Sequence, residues 1–402
     1  VMYGNETIGV VIPAYNEEQF IRDVIQGVPD YVDRIYAVND ASTDNTWTEM
    51  LAASSGSDDE SDLRYERTDG GTDQSAESNG FNPAQATELP ETDSAGETAG
   101  LQRGWSVETM TDSDDGVRNA LAERAAEIVL QDRVVAIQHR ENEGAGGAIK
   151  TGYLAALVDG VDAVATIDGD GQMDPEVLSD LLDPIVEDDI DYTKGNRLLH
   201  REYRSEMPRL RLVGNFILTF LTKIASGYWR VMDPQNGYTV ISSQALEAVS
   251  VKDLYEGYGY CNELLIKLNV AEMRIADVPT DVEYSDEESH IQYSSYIPKV
   301  SMLLLRGFLW RLKTKYLILD FHPLVFFYLL GAGSIGAGLL SGLYTVASLL
   351  ATGSSGLFDG LLAPLLLVTG VSFLLFAMIL DRRVNDSLVR PQQLGANSAR
   401  ME

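Results

Sequence analysis

Short strand-like runs, most of them apolar, alternate with stretches of helical spacing between residues 8 and 200. The runs are IGVVIP, RIYAVND, RVVAIQH, VDAVATID and IDYTKGN, and the segments between them include EEQFIRDVIQGV, TWTEMLAA, GGAIKTGYLAALV and PEVLSDLLDPIV. A continuous apolar run is the signature of a strand buried on both faces, as in a parallel sheet covered by helices. Strands separated by helical patterns therefore predict an α/β domain with a mainly parallel, Rossmann-like sheet whose ligand edge lies at the strand carboxyl ends. Polar residues gather at those ends: Asn16 and Glu17, Asn39 and Asp40, Asp168 and Asp170, Gly195 and Arg197. One shared site is expected there.

Near the C-terminus the pattern changes. Leu324 to Leu350 and Leu361 to Leu380 contain no charged residue, and each meets the length of about 20 residues needed to cross a bilayer core. The first is rich in glycine, as helices that pack closely in lipid often are. The link ATGSSGLFDG holds no Lys or Arg, whereas Arg306, Arg311, Lys313 and Lys315 precede the first run and Arg382 and Arg383 follow the second. By the positive-inside rule this predicts a two-helix transmembrane hairpin with both outer ends in the cytoplasm. Before it, residues 297 to 319 are apolar with Lys299, Arg306, Arg311, Lys313 and Lys315 interspersed. That mixture reads as an interfacial helix presenting a cationic patch to anionic headgroups.

Composition narrows the partners. The chain has 402 residues and a net charge of −31, a surface that repels nucleic acid phosphates and argues against DNA or RNA binding. Carboxylates spread along the whole chain suit concentrated salt, where screening removes much of their self-repulsion. The lone cysteine, Cys261, excludes an internal disulfide and a cysteine zinc cluster. The start, VMYGNETIGVVIPAYNEE, has no basic region before an apolar core, so no secretory leader is expected and the domain should stay in the cytoplasm. Residues 53 to 116 are dense in Ser, Asp, Glu, Gly and Thr with few large apolar side chains. Such a stretch cannot bury enough surface to offset its ordering entropy, which predicts a disordered acidic insertion inside the domain.

The segment VATIDGDGQMDP is the most informative chemically. Asp168 and Asp170 flank a glycine directly after an apolar strand, so both carboxylates can turn to one point. Oxygen ligands at this spacing suit a hard cation, Mg²⁺ or Mn²⁺, with nucleotide phosphates completing its shell. The glycines of Gly144–Gly147 precede a helical segment and would bring backbone N–H groups near a bound phosphate; on their own they are equally a tight loop.

IPAYNEE, VNDASTDNT, NEGAGGAIKTG and DGDGQ occur in this order after four successive strands. The set resembles the GT-A domain of family 2 inverting glycosyltransferases, and among them the dolichol-phosphate mannose and glucose synthases, over about residues 8 to 290. With the acidic composition, it points to a halophilic archaeon. The resemblance implies that Pro13, Tyr15 and Glu17 line the nucleoside pocket, that Asp40 accepts a hydrogen bond from the base, and that Asp168 and Asp170 hold metal and donor phosphates with Gln172 beside them. It implies Arg197 and Arg211 as contacts of the acceptor phosphate, whose oxygens suit a guanidinium fork. Arg209 is either a further phosphate contact or a side chain snorkelling towards headgroups. Asn215 follows Arg211 where some members carry serine. Asp233 and Gln235 fall in a loop of the acceptor pocket, and Glu263 falls where members have an acidic residue near the acceptor, although a lone Glu there is also an ordinary helix-start charge. Two further departures are Ala145, where a lysine is frequent, and Met173, where a histidine is common.

The expected organisation is a catalytic domain over residues 1–290, juxtamembrane amphipathic helices over 291–322, two transmembrane helices over 323–382 and a cytoplasmic tail over 383–402. The expected activity moves a hexose from a GDP- or UDP-linked donor to dolichyl or other polyprenyl phosphate at the cell membrane. Rival expectations are another family 2 membrane enzyme acting on a glycolipid or polysaccharide, and a non-catalytic nucleotide or lipid-phosphate binder. The Q-x-x-R-W motif usual in processive synthases is missing from the sequence. Oligomeric state is left open.

Overall fold

The computed structural model describes residues 3–55, 105, 107, 116–197, 209–280, 293–352 and 357–390, apart from the side chains of 55, 209–213, 293–297 and 357–359. Its centre is an eight-stranded sheet: β1 (Ile8–Ala14), β2 (Arg34–Asn39), β3 (Ala125–Gln131), β4 (Val134–His139), β5 (Ala163–Thr166), β6 (Tyr192–Asn196), β7 (Thr239–Ser242) and β8 (Ile275–Pro279), in the order β3-β4-β2-β1-β5-β7-β6-β8. Strands β4, β2, β1 and β5 pair in parallel, as do β6 and β8, while β3 and β7 run the other way. The five strands expected from the sequence are therefore present, with β3, β7 and β8 in addition.

Period-two alternation divides the apolar strand residues between two cores. Val10, Ile12 and Ile35 join one with α1 (Ile21–Gly27) and α5 (Leu178–Asp188). Val11, Val38 and Ile137 join the other with α3 (Gly116–Arg124), α4 (Ala145–Asp159) and α8 (Tyr260–Val270). Each fully buried Val or Ile contributes about 1.5–3 kcal/mol relative to exposure. Helix α2 (Thr46–Ser55) packs on α1. Gly152 of α4 lets that helix press directly on β1: a Cβ there would lie 2.3 Å from Val11 Cγ1.

The expected insertion falls mostly outside the described residues. At its edges, Ala53–Ser55 are the last turn of α2, and Trp105 packs on the ring of Tyr36 at 6.4 Å between centroids.

Beyond the sheet lie α6 (Arg209–Ser226), α7 (Ser243–Ala248) and α9 (Tyr293–Lys313), the last running into a π-helical turn, Thr314–Leu319. Then come α10 (Leu324–Thr352) and α11 (Leu357–Asn385). Both have helical stretches long and apolar enough to cross a membrane, and only 28% and 17% of their most apolar windows is buried. Core helices of a soluble domain bury far more of such a surface. The pair is antiparallel and close: a Cβ on Gly331 would meet Leu374 Cδ2 at 2.7 Å, and one on Gly338 would meet Leu367. After α11 the chain returns to the sheet, where Val389 bridges Ile275 of β8 and the Arg390 N–H donates to Ile275 O at 2.9 Å.

The expected cationic patch is corrected in part. Lys299, Arg306 and Lys313 are exposed, but Arg311 and Lys315 are buried. Arg311 forms a two-pronged pair with Asp381 of α11 at 3.0 and 2.9 Å and donates to Ile224 O at 3.0 Å. Lys315 donates to Asn269 O at 2.8 Å and Asn385 Oδ1 at 3.1 Å. Counting charges beside an apolar run does not reveal that Asp381 and Asn385, one turn apart on α11, face inward and draw these cations off the surface.

Candidate active site

Because β1, β2, β4, β5 and β6 point the same way, the loops following them meet at one edge. Their backbones are stitched together there. Asp40 N donates to Ala14 O at 2.9 Å and Gly169 N to Pro13 O at 3.2 Å. The loops after β1 and β2 interlock through side chains: Asn16 Oδ1 accepts from Thr43 N at 2.8 Å, Glu18 Oε2 from Asn45 N at 3.0 Å, and Thr46 Oγ1 from Glu17 N at 2.8 Å. Asp44 accepts from Thr46 N at 3.0 Å at the start of α2. These bonds hold Pro13, a largely exposed Tyr15 and Glu17 beside the β5 loop.

Asp168 and Asp170 sit in that loop. Asp170 Oδ1 accepts from Gln172 N at 3.0 Å, closing a turn that places Gln172 next to the pair. Asp168 is deep-set but open to the cleft, and its carboxyl is pushed up to about 7, first by burial and then by Asp170, with Arg197 pulling the other way. A site that resists a second negative charge is one a cation stabilises. Gly237 stands over it, where a Cβ would lie 3.2 Å from Asp168 Oδ2. Met173 lies against both, its sulfur accepting from Asp168 N at 3.4 Å and its methyl 3.6 Å from that Cβ position. Among the described residues no group of three or more His, Cys, Asp or Glu converges as a metal cage. Two carboxylates completed by substrate phosphates are the arrangement usual for Mg²⁺, so the donor set fits such an ion.

Arg197, at the end of β6, is brought against Asp233: Nε to Oδ2 is 2.7 Å and Nη2 to Oδ1 is 3.0 Å. Burial alone would raise the Asp233 carboxyl, but the guanidinium outweighs it and holds the group below its usual value. The loop carrying Asp233 and Gln235 is braced from beneath by residues that sequence reasoning missed. Buried Lys194 donates to Met232 O at 2.5 Å, and Asp277 of β8 accepts from Met232 N at 2.7 Å and Asn196 Nδ2 at 2.9 Å.

Asp40 is 3% exposed and already well engaged. Its Oδ1 accepts from His139 Nδ1 at 2.7 Å and Glu143 N at 2.8 Å, and its Oδ2 from Gly144 N at 2.8 Å. The glycine segment is thus tied to Asp40. It does not precede α4 as a free loop, since the helix starts at Ala145 with Gly144 at φ +81° as its cap. Gly147 N donates to Glu256 O at 3.0 Å, and Glu256 in turn binds Arg124 and Lys150, each at 3.0 Å.

Arg209 and Arg211 open α6, but their side chains lie outside the described residues; Asn215 follows, half-buried, in the next turn. Glu263 is not brought to the carboxylate pair. Its Oε2 accepts from Tyr255 N at 2.6 Å, and it lines a separate groove of about 730 Å³ with Lys267, Arg306 and Trp310.

The edge therefore joins an acidic pair, an arginine–aspartate pair and a loop held by a buried carboxylate on an α/β sheet. Glycosyl transferase family 2 matches residues 9–81 and 111–250, more than half of the chain, and the chain belongs to that family. Its fold is the GT-A fold, a mixed sheet that is mainly parallel. Among curated relatives, the chain is 34% identical over 154 residues to a UDP-N-acetylglucosamine–dolichyl-phosphate N-acetylglucosaminyltransferase of Methanococcus voltae, covering 38% of this chain and 61% of that one. It is 28% identical over 173 residues to an uncharacterised protein of Methanocaldococcus jannaschii, covering 43% and 69%. The match thus spans about three fifths of the first relative's length. Glucosyl-3-phosphoglycerate synthase from Mycobacterium tuberculosis, solved with UDP, aligns with a TM-score of 0.43 at 19% identity over 76% of this chain and 80% of that one.

Proposed function

We propose that this protein transfers a sugar from a nucleoside diphosphate donor to a polyprenyl phosphate such as dolichyl phosphate, with inversion at the anomeric carbon. The observation that carries the proposal is the meeting of Asp168, Asp170 and the Arg197–Asp233 pair on the sheet edge where the β1 and β2 loops interlock. Family membership and the Methanococcus voltae relative support the same reaction class. That relative's name makes UDP-N-acetylglucosamine the first donor to test, beside UDP-glucose and GDP-mannose.

Asp168 and Asp170 would hold a Mg²⁺ or Mn²⁺ ion, which neutralises the leaving diphosphate when bound. The remaining work falls to the protein. Asp40, Pro13, Tyr15 and Glu17 orient the nucleoside. Arg197, with Arg211 and Arg209 at the head of α6, receives the acceptor phosphate, and Asn215, Asp233, Gln235 and Gln172 shape the cleft around it. An acceptor oxygen forms a bond to the anomeric carbon as the bond from that carbon to the leaving diphosphate breaks on the opposite face. A phosphate monoester is already ionised near neutral pH, so no dedicated base is needed. Glu263 is engaged by Tyr255 N and lines the groove between α8 and α9.

The α10–α11 hairpin would cross the bilayer, with the catalytic domain on the cytoplasmic side beside the exposed Lys299, Arg306, Lys313, Arg382 and Arg383. The test is direct. Purified protein in detergent is given radiolabelled donor, dolichyl phosphate and Mg²⁺, and label is counted in the organic phase. Transfer that EDTA abolishes is expected; label that stays aqueous with every donor tried would reject the proposal.

A further inference from the structure

His139 ends β4 beside Asp40, which directly follows β2, because the two strands pair with Asn39 opposite Gln138. The imidazole is 1% exposed and held at both ends, by Asp40 Oδ1 at 2.7 Å from Nδ1 and by Thr151 Oγ1 at 2.8 Å from Nε2. An ionised carboxylate only accepts, so Nδ1 carries a proton and donates it to Asp40. Thr151 is fixed in turn, accepting from Arg124 Nε at 3.0 Å and donating to Gly147 O at 3.1 Å. Arg124 also pairs with Glu143 and with Glu256. Both hydrogen-bond partners of the ring, Asp40 and Thr151, are therefore themselves held in place.

The consequence lies in the lone pairs of Asp40. Oδ1 is saturated by His139 and Glu143 N, while Oδ2 has one protein donor, Gly144 N, among the described residues. A carboxylate oxygen accepts about two hydrogen bonds, so Oδ2 keeps one acceptor position. We propose that His139 is a positioning residue for nucleotide binding: it saturates Oδ1 and fixes the carboxylate plane, so that the remaining acceptor position of Oδ2 is aimed at an N–H of the donor base. This rests on the proposed contact between Asp40 and the nucleoside.

Two substitutions separate positioning from packing. His139→Asn places an amide N–H near the Nδ1 position and keeps a donor for Asp40. His139→Gln reaches towards Thr151 and leaves Oδ1 one donor short. Both lose the ring, so a purely structural role predicts similar losses from each. Kd for UDP, or for GDP if it binds the unaltered chain more tightly, is measured by calorimetry on the full chain in detergent, with kcat at saturating donor alongside.

His139→Gln and Asp40→Asn are expected to weaken binding about tenfold or more, the scale of a lost charge-assisted hydrogen bond. His139→Asn should stay within about threefold, and kcat should be unchanged in both His139 variants, because a positioning role in donor binding acts on Kd. Equal losses in the two His139 variants overturn the proposal, as does normal binding by His139→Gln when Asp40→Asn binds weakly. Normal binding by Asp40→Asn rejects the nucleoside contact itself. Should His139→Gln not fold, His139→Asn binding as weakly as Asp40→Asn is the overturning result.

Discussion

Removing Asp381 should destabilise the catalytic domain although it lies at the end of the second apolar helix. Asp381 and Arg311 are both 0% exposed and meet through two bonds of 3.0 and 2.9 Å. The same carboxylate accepts from Tyr316 Oη at 2.8 Å and from Trp229 Nε1 at 3.3 Å. Asp381→Asn leaves a guanidinium buried against a neutral amide, and losing one partner of such a pair costs about 3–5 kcal/mol. Unfolding entropy of about 2 cal/mol/K per residue means that a chain of 402 residues shifts by about 1 °C per kcal/mol, so the unfolding midpoint should drop by roughly 5 °C. Replacing both partners, as in Arg311→Met with Asp381→Leu, removes the unpaired charge and should lose less than either single change. Thermal unfolding in detergent followed by tryptophan fluorescence gives the midpoints of the parent, Asp381→Asn, Arg311→Met, Asp381→Leu and the double variant. Single variants within about 2 °C of the parent, or a double variant as low as the sum of the singles, would refute the view that this pair locks the hairpin to the domain.

Gly237→Ala pushes a Cβ to 3.2 Å from Asp168 Oδ2; activity should fall about tenfold or more with little change in midpoint, since small displacements at a reacting centre are costly, and undiminished kcat/KM would contradict it. Ala41 holds φ +55° in the β2 loop, so Ala41→Gly should be neutral or stabilising by up to about 1 kcal/mol, and a loss larger than that in a denaturant titration would count against the strain. With a net charge of −31, the midpoint should climb between about 0.1 and 1 M KCl as the screening length shortens from about 10 to about 3 Å; a flat response would remove the case for adaptation to salt.

What was legible in the sequence followed from local pattern. The strands β1, β2, β4 and β5 are apolar runs that end in polar turns, and four ordered motifs placed their loops on one edge. β3 was missed because it is an edge strand of mixed burial joined to β4 by a tight turn at Asp132, whose φ is +52°. Its pattern is neither continuously apolar nor cleanly alternating. His139 was visible only as the end of a strand, and its meeting with Asp40 depends on the register of β4 against β2, which neither segment encodes alone. Arg311 and Lys315 looked like surface cations because their partners lie some 70 residues further on. Glu263 matched a family position, and its bond to Tyr255 N depends on how the loop before α8 folds back, which the sequence does not display.

The central claim is direct transfer of a sugar to a lipid phosphate with inversion. Mass spectrometry and proton NMR of the lipid product formed from an α-linked nucleotide sugar and dolichyl phosphate test it most directly. The predicted product carries one phosphate and a β-linked sugar. A lipid with two phosphates would mean that sugar phosphate, and not sugar, was moved, and an α-linked product would mean retention; either contradicts the reaction proposed for this site.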